Sequence, residues 1–178
     1  MPDFTVQHVA KIDYALLNSL GIKHLMFDLD QTLRRPYSRS IDTPIIELFN
    51  DIRKTGFFET TSLVSNNILS LDKFGEEIGT RIFQPFKRGL RIVRKPNPLY
   101  FEEVLSEINA SPETVVMIGD RLKTDILGGN QAGVYTIYVK KLGPIDYWFD
   151  WILFTRLRER LSLKKALVAT RQTGGKSL

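Results

Sequence analysis

The chain has no cysteine and only two histidines, His8 and His24, in 178 residues. The first absence excludes disulfides, thiol catalysis and thiolate-bound metals, and the second leaves too few imidazoles for a zinc site. Any metal would have to be held by oxygen. No run of 18 apolar residues is present, so no segment reads as a bilayer-spanning helix. The opening stretch MPDFTVQHVAKIDYALL has an early acid, no basic leader and no unbroken apolar core, which predicts no signal peptide and a cytoplasmic location. Internal repeats, low-complexity tracts and a second-domain linker are also lacking.

What is present suits one soluble domain with a real core: 43% hydrophobic and 25% charged residues. The net charge of +5 points to anionic partners, whether nucleic acid, a phosphorylated substrate or a membrane surface. Apolar spacing predicts an amphipathic helix over 9–20, stopped by Gly21, and a strand over 22–28. Thr43 and Pro44 read as the N-cap and first position of a helix carrying Ile45, Leu48, Phe49 and Ile52 and ended by Gly56. Strands over 60–64, 114–118 and 134–139 alternate with helices over 71–78, 98–108 and 122–132, while 81–95 reads as a loop. This alternation predicts an α/β fold, a parallel sheet with helices on both faces, with ligands beyond the carboxyl ends of the strands.

Polar clusters fall at those ends. Asp28 and Asp30, at i and i+2 of an extended chain, share a face where the first strand stops. At ~4 Å and an effective dielectric of 20, two carboxylates repel by roughly 4 kcal/mol, which calls for a cation or a shared proton. Ser65 and Asn66 follow the second strand, where a hydroxyl and backbone N–H groups can meet a phosphate, or simply cap a helix. Lys95 lies in RKPNP, whose prolines stiffen the chain around the ammonium; Lys87 is the rival phosphate clamp. Asp120 follows the third strand, and Asp125 starts the next helix close enough to face the same pocket. Four carboxylates with no His or Cys select a hard cation, Mg2+.

FDLDQTL resembles the D-x-D-x-T signature of the haloacid dehalogenase (HAD) superfamily, and Asp28, Asp30, Ser65, Lys95, Asp120 and Asp125 together reproduce its four ordered motifs over 22–139. The VSNN, K-P and GDRLKTDILGGNQAG segments are similar to subclass IIIA phosphatases of the YqeG type, relatives of enzymes that dephosphorylate phosphatidylglycerophosphate. The resemblance implies a three-layer Rossmannoid sandwich with a mainly parallel sheet and no large cap domain. It implies Asp28 as nucleophile, forming an aspartyl phosphate, and Asp30 as the acid and base whose backbone carbonyl helps hold Mg2+. Thr32, Ser65, Asn66 and Lys95 would contact phosphate, and Asp120 and Asp125 would complete the metal set. Haloalkanoate dehalogenases of the superfamily lack an acid at the Asp30 place, so its presence favours phosphate esters. Gln31 stands where Asn is usual, and the basic stretch before Lys95 is a further departure.

Only about a dozen residues separate the first motif from the helix at 43, too few for a cap domain. An open site suits large or membrane-held substrates. Arg34, Arg35, Lys87, Arg88 and Arg91 are expected as a cationic rim for a phospholipid headgroup. The chain divides into a phosphatase domain at 1–143, an aromatic and basic extension at 144–169 and a tail at 170–178 expected to be disordered. In the extension Trp148, Trp151, Phe154 and Arg156 either meet an anionic membrane or pack on the sheet. The leading expectation is a Mg2+-dependent phosphatidylglycerophosphate phosphatase, peripheral at the inner face of a membrane. Its rivals are a phosphatase of small soluble or nucleic-acid-end esters, and a non-catalytic module that binds RNA or an acidic protein.

Overall fold

In the computed structural model, which describes residues 1–143, strands and helices alternate as the periodicity predicts. β1 (Phe4–Val6) leads to α1 (Tyr14–Ser19) and β2 (His24–Phe27), then α2 (Thr43–Thr55), β3 (Thr60–Val64), α3 (Asp72–Ile78) and β4 (Arg81–Phe83). A hairpin of β5 (Phe86–Arg88) and β6 (Arg91–Val93) precedes α4 (Pro98–Glu107), β7 (Val115–Gly119), α5 (Leu127–Gln131) and β8 (Tyr135–Val139). The main sheet has the order β1-β8-β7-β2-β3-β4, with every neighbouring pair parallel.

From β2 the chain builds outward through β3 and β4, then returns to β2's other side for β7 and β8. This reversal opens a crevice beyond the carboxyl ends of β2, β3 and β7, the usual ligand position in such sheets. All four residues of β2 are buried, as a strand covered on both faces requires. Leu25 and Phe27 pack with Phe49 and Ile52 of α2 and Ile78 of α3, while Met26 faces the opposite layer with Phe101 and Val104 of α4. Each such large side chain, fully buried, contributes roughly 1.5–3 kcal/mol. That two-sided packing fixes where β2 ends, and so where Asp28 begins.

Several elements differ from the sequence reading. The helix expected over 9–20 is a 3-10 turn at Val9–Lys11 and a shorter α1, whose N-cap Asp13 accepts a hydrogen bond from the Leu16 N–H at 2.9 Å. β1 is an edge strand of three residues, too short to show a period. The stretch 81–95 is no loop: it holds β4, which extends the main sheet beside β3, and the hairpin. Asp42 rather than Thr43 is the N-cap of α2, and the helix expected over 122–132 begins as a π-helical turn at Leu122–Ile126. No described helix is long and apolar enough to cross a membrane. The extension with Trp148, Trp151, Phe154 and Arg156, and the tail at 170–178, lie outside the described residues.

Candidate active site

Asp28 continues β2 by one residue, its N–H donating to the Ile118 carbonyl at 2.8 Å. The chain then turns tightly because Gln31 takes a left-handed conformation at φ 71°, and the Gln31 N–H closes the turn on the Arg34 carbonyl at 2.8 Å. A glutamine in that region is unfavourable by roughly 1–2 kcal/mol. It is held by that bond, by the Leu142 N–H on its carbonyl at 2.9 Å and by the Gly143 N–H on its Oε1 at 3.1 Å.

The turn delivers Asp28 to a buried cluster. Lys95 Nζ donates to Asp28 Oδ1 at 2.7 Å, to Asp125 Oδ1 at 2.8 Å and to the Val64 carbonyl at 2.8 Å, which uses all three ammonium protons. Burial works against the Lys95 charge, yet Asp125 and Asp28 outweigh it and its pKa is pushed up. Burial pushes the Asp28 carboxyl up too, opposed by Lys95 and reinforced by Asp125 and Asp120. Thr32 Oγ1 lies 3.4 Å from both Asp28 Oδ2 and Asp120 Oδ1, spanning the first and last motifs. Asp28, Asp120 and Asp125 each offer an oxygen, all within 4.8 Å of one another.

Of these three carboxylates, the Lys95 ammonium is bonded to two, Asp28 and Asp125. The donors are all oxygen and all buried, a set that fits a hard divalent cation such as Mg2+ and suits neither zinc nor copper.

Asp125 is 0% exposed and anchored by the Arg121 N–H on Oδ2 at 3.0 Å and by Thr124 Oγ1 at 3.2 Å from Oδ1. A methyl on Gly119 would overlap the Asp125 carboxylate, so the strand can pass only because this residue has no side chain. Gly119→Ala is expected to displace Asp125 and lower phosphate release by about 10²-fold, the scale of a 1 Å misplacement in a catalytic site. A phosphate-release assay beside a thermal melt checks this; full activity would show that Asp125 can move without consequence.

The remaining expected residues divide. Ser65 is buried beside the cluster, its Oγ accepting from the Asn67 N–H at 3.1 Å. Asn66 Nδ2 donates to the Lys95 carbonyl at 2.8 Å, so its first contact is with the lysine's backbone, and its Oδ1 is buried without a partner among the described residues. The Asp30 carboxylate is not part of the three-carboxylate cluster: its Oδ1 is 2.7 Å from both Nε and an Nη of Arg34. Arg34 is therefore no rim residue. It is 7% exposed, donates to the Ser38 carbonyl at 3.0 Å and lies 4.0 Å over the Phe74 ring. Between the two rival lysines, Lys95 is at the cluster; Lys87, like Arg88 and Arg91, is exposed on the hairpin, and Arg35 is exposed beyond the turn.

A cavity of about 490 Å³ opens over this cluster, lined by Asp28, Asp30, Ser65 and Lys95 and also by Arg94 and Arg121. Arg121 was absent from the expected set, although its place directly after Asp120 was a usable signal. Tyr100 was missed as well. It reads as an ordinary apolar position of α4, yet its hydroxyl donates to the Phe83 carbonyl at 2.7 Å and lies 3.4 Å from that of Ser65, supporting the second motif from beneath.

Comparison with known proteins agrees with this geometry. The HAD-hydrolase-like family model matches residues 92–141. The probable phosphatase YqeG of Bacillus subtilis is 32% identical over 147 residues, which is 82% of this chain and 80% of that protein. Phosphatidylglycerophosphate phosphatase 1 of Arabidopsis thaliana is 28% identical over 82% of this chain, a match that spans 42% of that longer protein. Among solved structures, an uncharacterized protein from Listeria monocytogenes shares the fold at a TM-score of 0.56 and 18% identity, over 71% of this chain and 85% of that one. The chain belongs to the HAD superfamily, as a phosphatase of the YqeG type.

Proposed function

We propose that this phosphatase works through an aspartyl-phosphate intermediate and that its substrate is a membrane-held phosphomonoester, phosphatidylglycerophosphate. The observation that carries the covalent reading is Asp28, a buried carboxylate held by Lys95 at 2.7 Å and lining a cavity large enough for a phosphate headgroup. In the first step an Asp28 oxygen bonds to phosphorus as the ester P–O bond breaks, and the leaving oxygen takes a proton from Asp30. In the second, Asp30 takes a proton from water, the water oxygen bonds to phosphorus, and inorganic phosphate leaves Asp28 free. Arg34 holds Asp30 by Oδ1, which leaves the other carboxyl oxygen for the proton. Lys95, with Arg94 and Arg121 on the cavity wall, supplies positive charge for the phosphate oxygens. Asp28, Asp120 and Asp125, with the Asp30 backbone carbonyl, would hold Mg2+, whose chemistry there is to neutralise charge on the transferring phosphoryl group.

The lipid reading is supported by the relatives in Arabidopsis thaliana and Chlamydomonas reinhardtii, both phosphatidylglycerophosphate phosphatases. It is also supported by the short connection between Asp30 and α2, which leaves the cavity uncapped from that side. The test is phosphate release from phosphatidylglycerophosphate in mixed micelles, from sugar phosphates and from nucleotides, with and without Mg2+. Turnover of the lipid that needs Mg2+ is expected. Activity confined to soluble esters would replace the lipid reading with the small-molecule one, and no turnover with salt-sensitive RNA binding would replace both.

Asp30→Asn separates proton transfer from phosphoryl attack. Its kcat is expected to fall about 10²–10⁴-fold on alkyl phosphates, whose leaving oxygen needs a proton. The first step on an aryl phosphate with an acidic phenol should fall far less, visible as a burst in rapid-quench kinetics. Equal first-step losses on both esters would remove Asp30 from the acid role.

A further inference from the structure

We infer that the β5–β6 hairpin and the neighbouring loop at Ile68 and Leu69 form a membrane-contact surface, with Leu90 and Ile92 entering the interfacial layer of an anionic phospholipid bilayer. This rests on the lipid reading above and gives it a place on the molecule.

Leu90 is 106% exposed, Ile68 74%, Leu69 69% and Ile92 58%. Single exposed aliphatics are ordinary, but these four belong to two adjoining segments. Gln84 Nε2 donates to the Asn67 carbonyl at 2.9 Å and to the Leu69 carbonyl at 2.6 Å, tying the 66–69 loop to the chain that enters the hairpin. Ile68 and Arg94 both line the catalytic cavity, so this surface adjoins its mouth.

The hairpin is anchored at its base and free at its tip. Phe86 stacks on Tyr100 with ring centroids 6.4 Å apart, and Val93, paired with Phe86 across the strands, is 2% exposed. The two-residue turn starts at Gly89 with φ +62°, the left-handed geometry that glycine supplies in tight hairpins, and it leaves Leu90 projecting from the end.

Charge names the partner. Lys87, Arg88, Arg91 and Arg94 have no acidic partner among the described residues. Arg88 and Arg91 stand directly opposite in the register, a pairing that repels unless an anion lies between or beside them. Nucleic acid would answer the charge but not the aliphatic tip, since binding of single strands relies on aromatic faces and none is exposed on this hairpin. A protruding aliphatic tip ringed by arginine and lysine fits lipid headgroups with acyl chains beneath them.

The experiment uses the full chain with vesicles of phosphatidylglycerol and phosphatidylcholine, read by flotation. Leu90→Gln/Ile92→Gln removes the apolar tip without altering charge. Partition onto the vesicles is expected to fall about tenfold or more. Apparent KM for vesicle-held phosphatidylglycerophosphate should rise in step, with kcat/KM on a soluble ester unchanged. Equal partition of variant and parent protein overturns the proposal, as does a loss of RNA binding with vesicle binding intact. If the parent protein floats through this tip but does not hydrolyse the lipid phosphate, the substrate reading fails and the contact surface stands. If it hydrolyses the lipid and the variant is indistinguishable, the contact surface alone fails.

Discussion

Replacing Asp28 by asparagine is expected to lower phosphate release by at least about 10³-fold, with the fold retained. An amide cannot form an acyl phosphate, but its oxygen can still accept the Lys95 proton now bonded at 2.7 Å. The substitution also removes one of three like charges from a space where their oxygens lie within 4.8 Å of one another. Burial together with Asp125 and Asp120 already disfavours ionised Asp28, so the metal-free variant should melt no lower than the parent protein. The informative result is the pair of measurements, phosphate release and thermal melting. Lost turnover with an unchanged or raised melting temperature assigns Asp28 to the reaction, whereas residual activity within tenfold of the parent would remove it from the nucleophile role.

Lys95→Met acts in the opposite direction on stability. Nearly isosteric with the lysine chain, methionine takes away the one described side-chain cation bonded to both Asp28 and Asp125 and leaves three buried carboxylates facing each other. Stripping one partner from a buried ion pair destabilises by about 3–5 kcal/mol, and this ammonium serves two. Activity should fall by about 10²–10³-fold, the scale for losing one preorganised electrostatic contact to a developing charge. Urea denaturation with and without added Mg2+ supplies the decisive comparison. Divalent cation should restore more stability to the variant than it adds to the parent, because a carboxylate cluster deprived of its ammonium gains more from a second source of positive charge. Unchanged stability in the absence of metal would mean that Asp28 and Asp125 are not held by Lys95 in solution.

Asp28 and Asp120 were readable in the chain because each follows an apolar run, so the strand's end and the carboxylate's position come from one pattern, and Asp125 was readable from its place at the start of the helix that follows Asp120. Thr32 came from the resemblance and Lys95 from its proline-flanked stretch, and geometry brings both to the cluster. Arg34 was misread for a physical reason. In linear order it is one more arginine beside Arg35, but the left-handed Gln31 folds the chain back so that Arg34 meets Asp30 and is covered by Phe74. The hairpin was illegible by periodicity because both β5 and β6 leave most of their side chains in solvent, which erases the alternation of a half-buried strand. Its one local sign was Gly89 before Leu90, a glycine in the first position of a two-residue turn. Tyr100 could not be told from a core aromatic, since its hydrogen bonds run to carbonyls supplied by other strands.

The bonds from Leu142 and Gly143 to Gln31 make the departure of the extension part of the catalytic turn's own framework. Trimming the chain ahead of Leu142 would strip that bend of two of its fasteners, each worth about 0.5–1.5 kcal/mol, and let a strained glutamine relax directly after Asp30. A shortened protein cut there should lose turnover before it loses its fold.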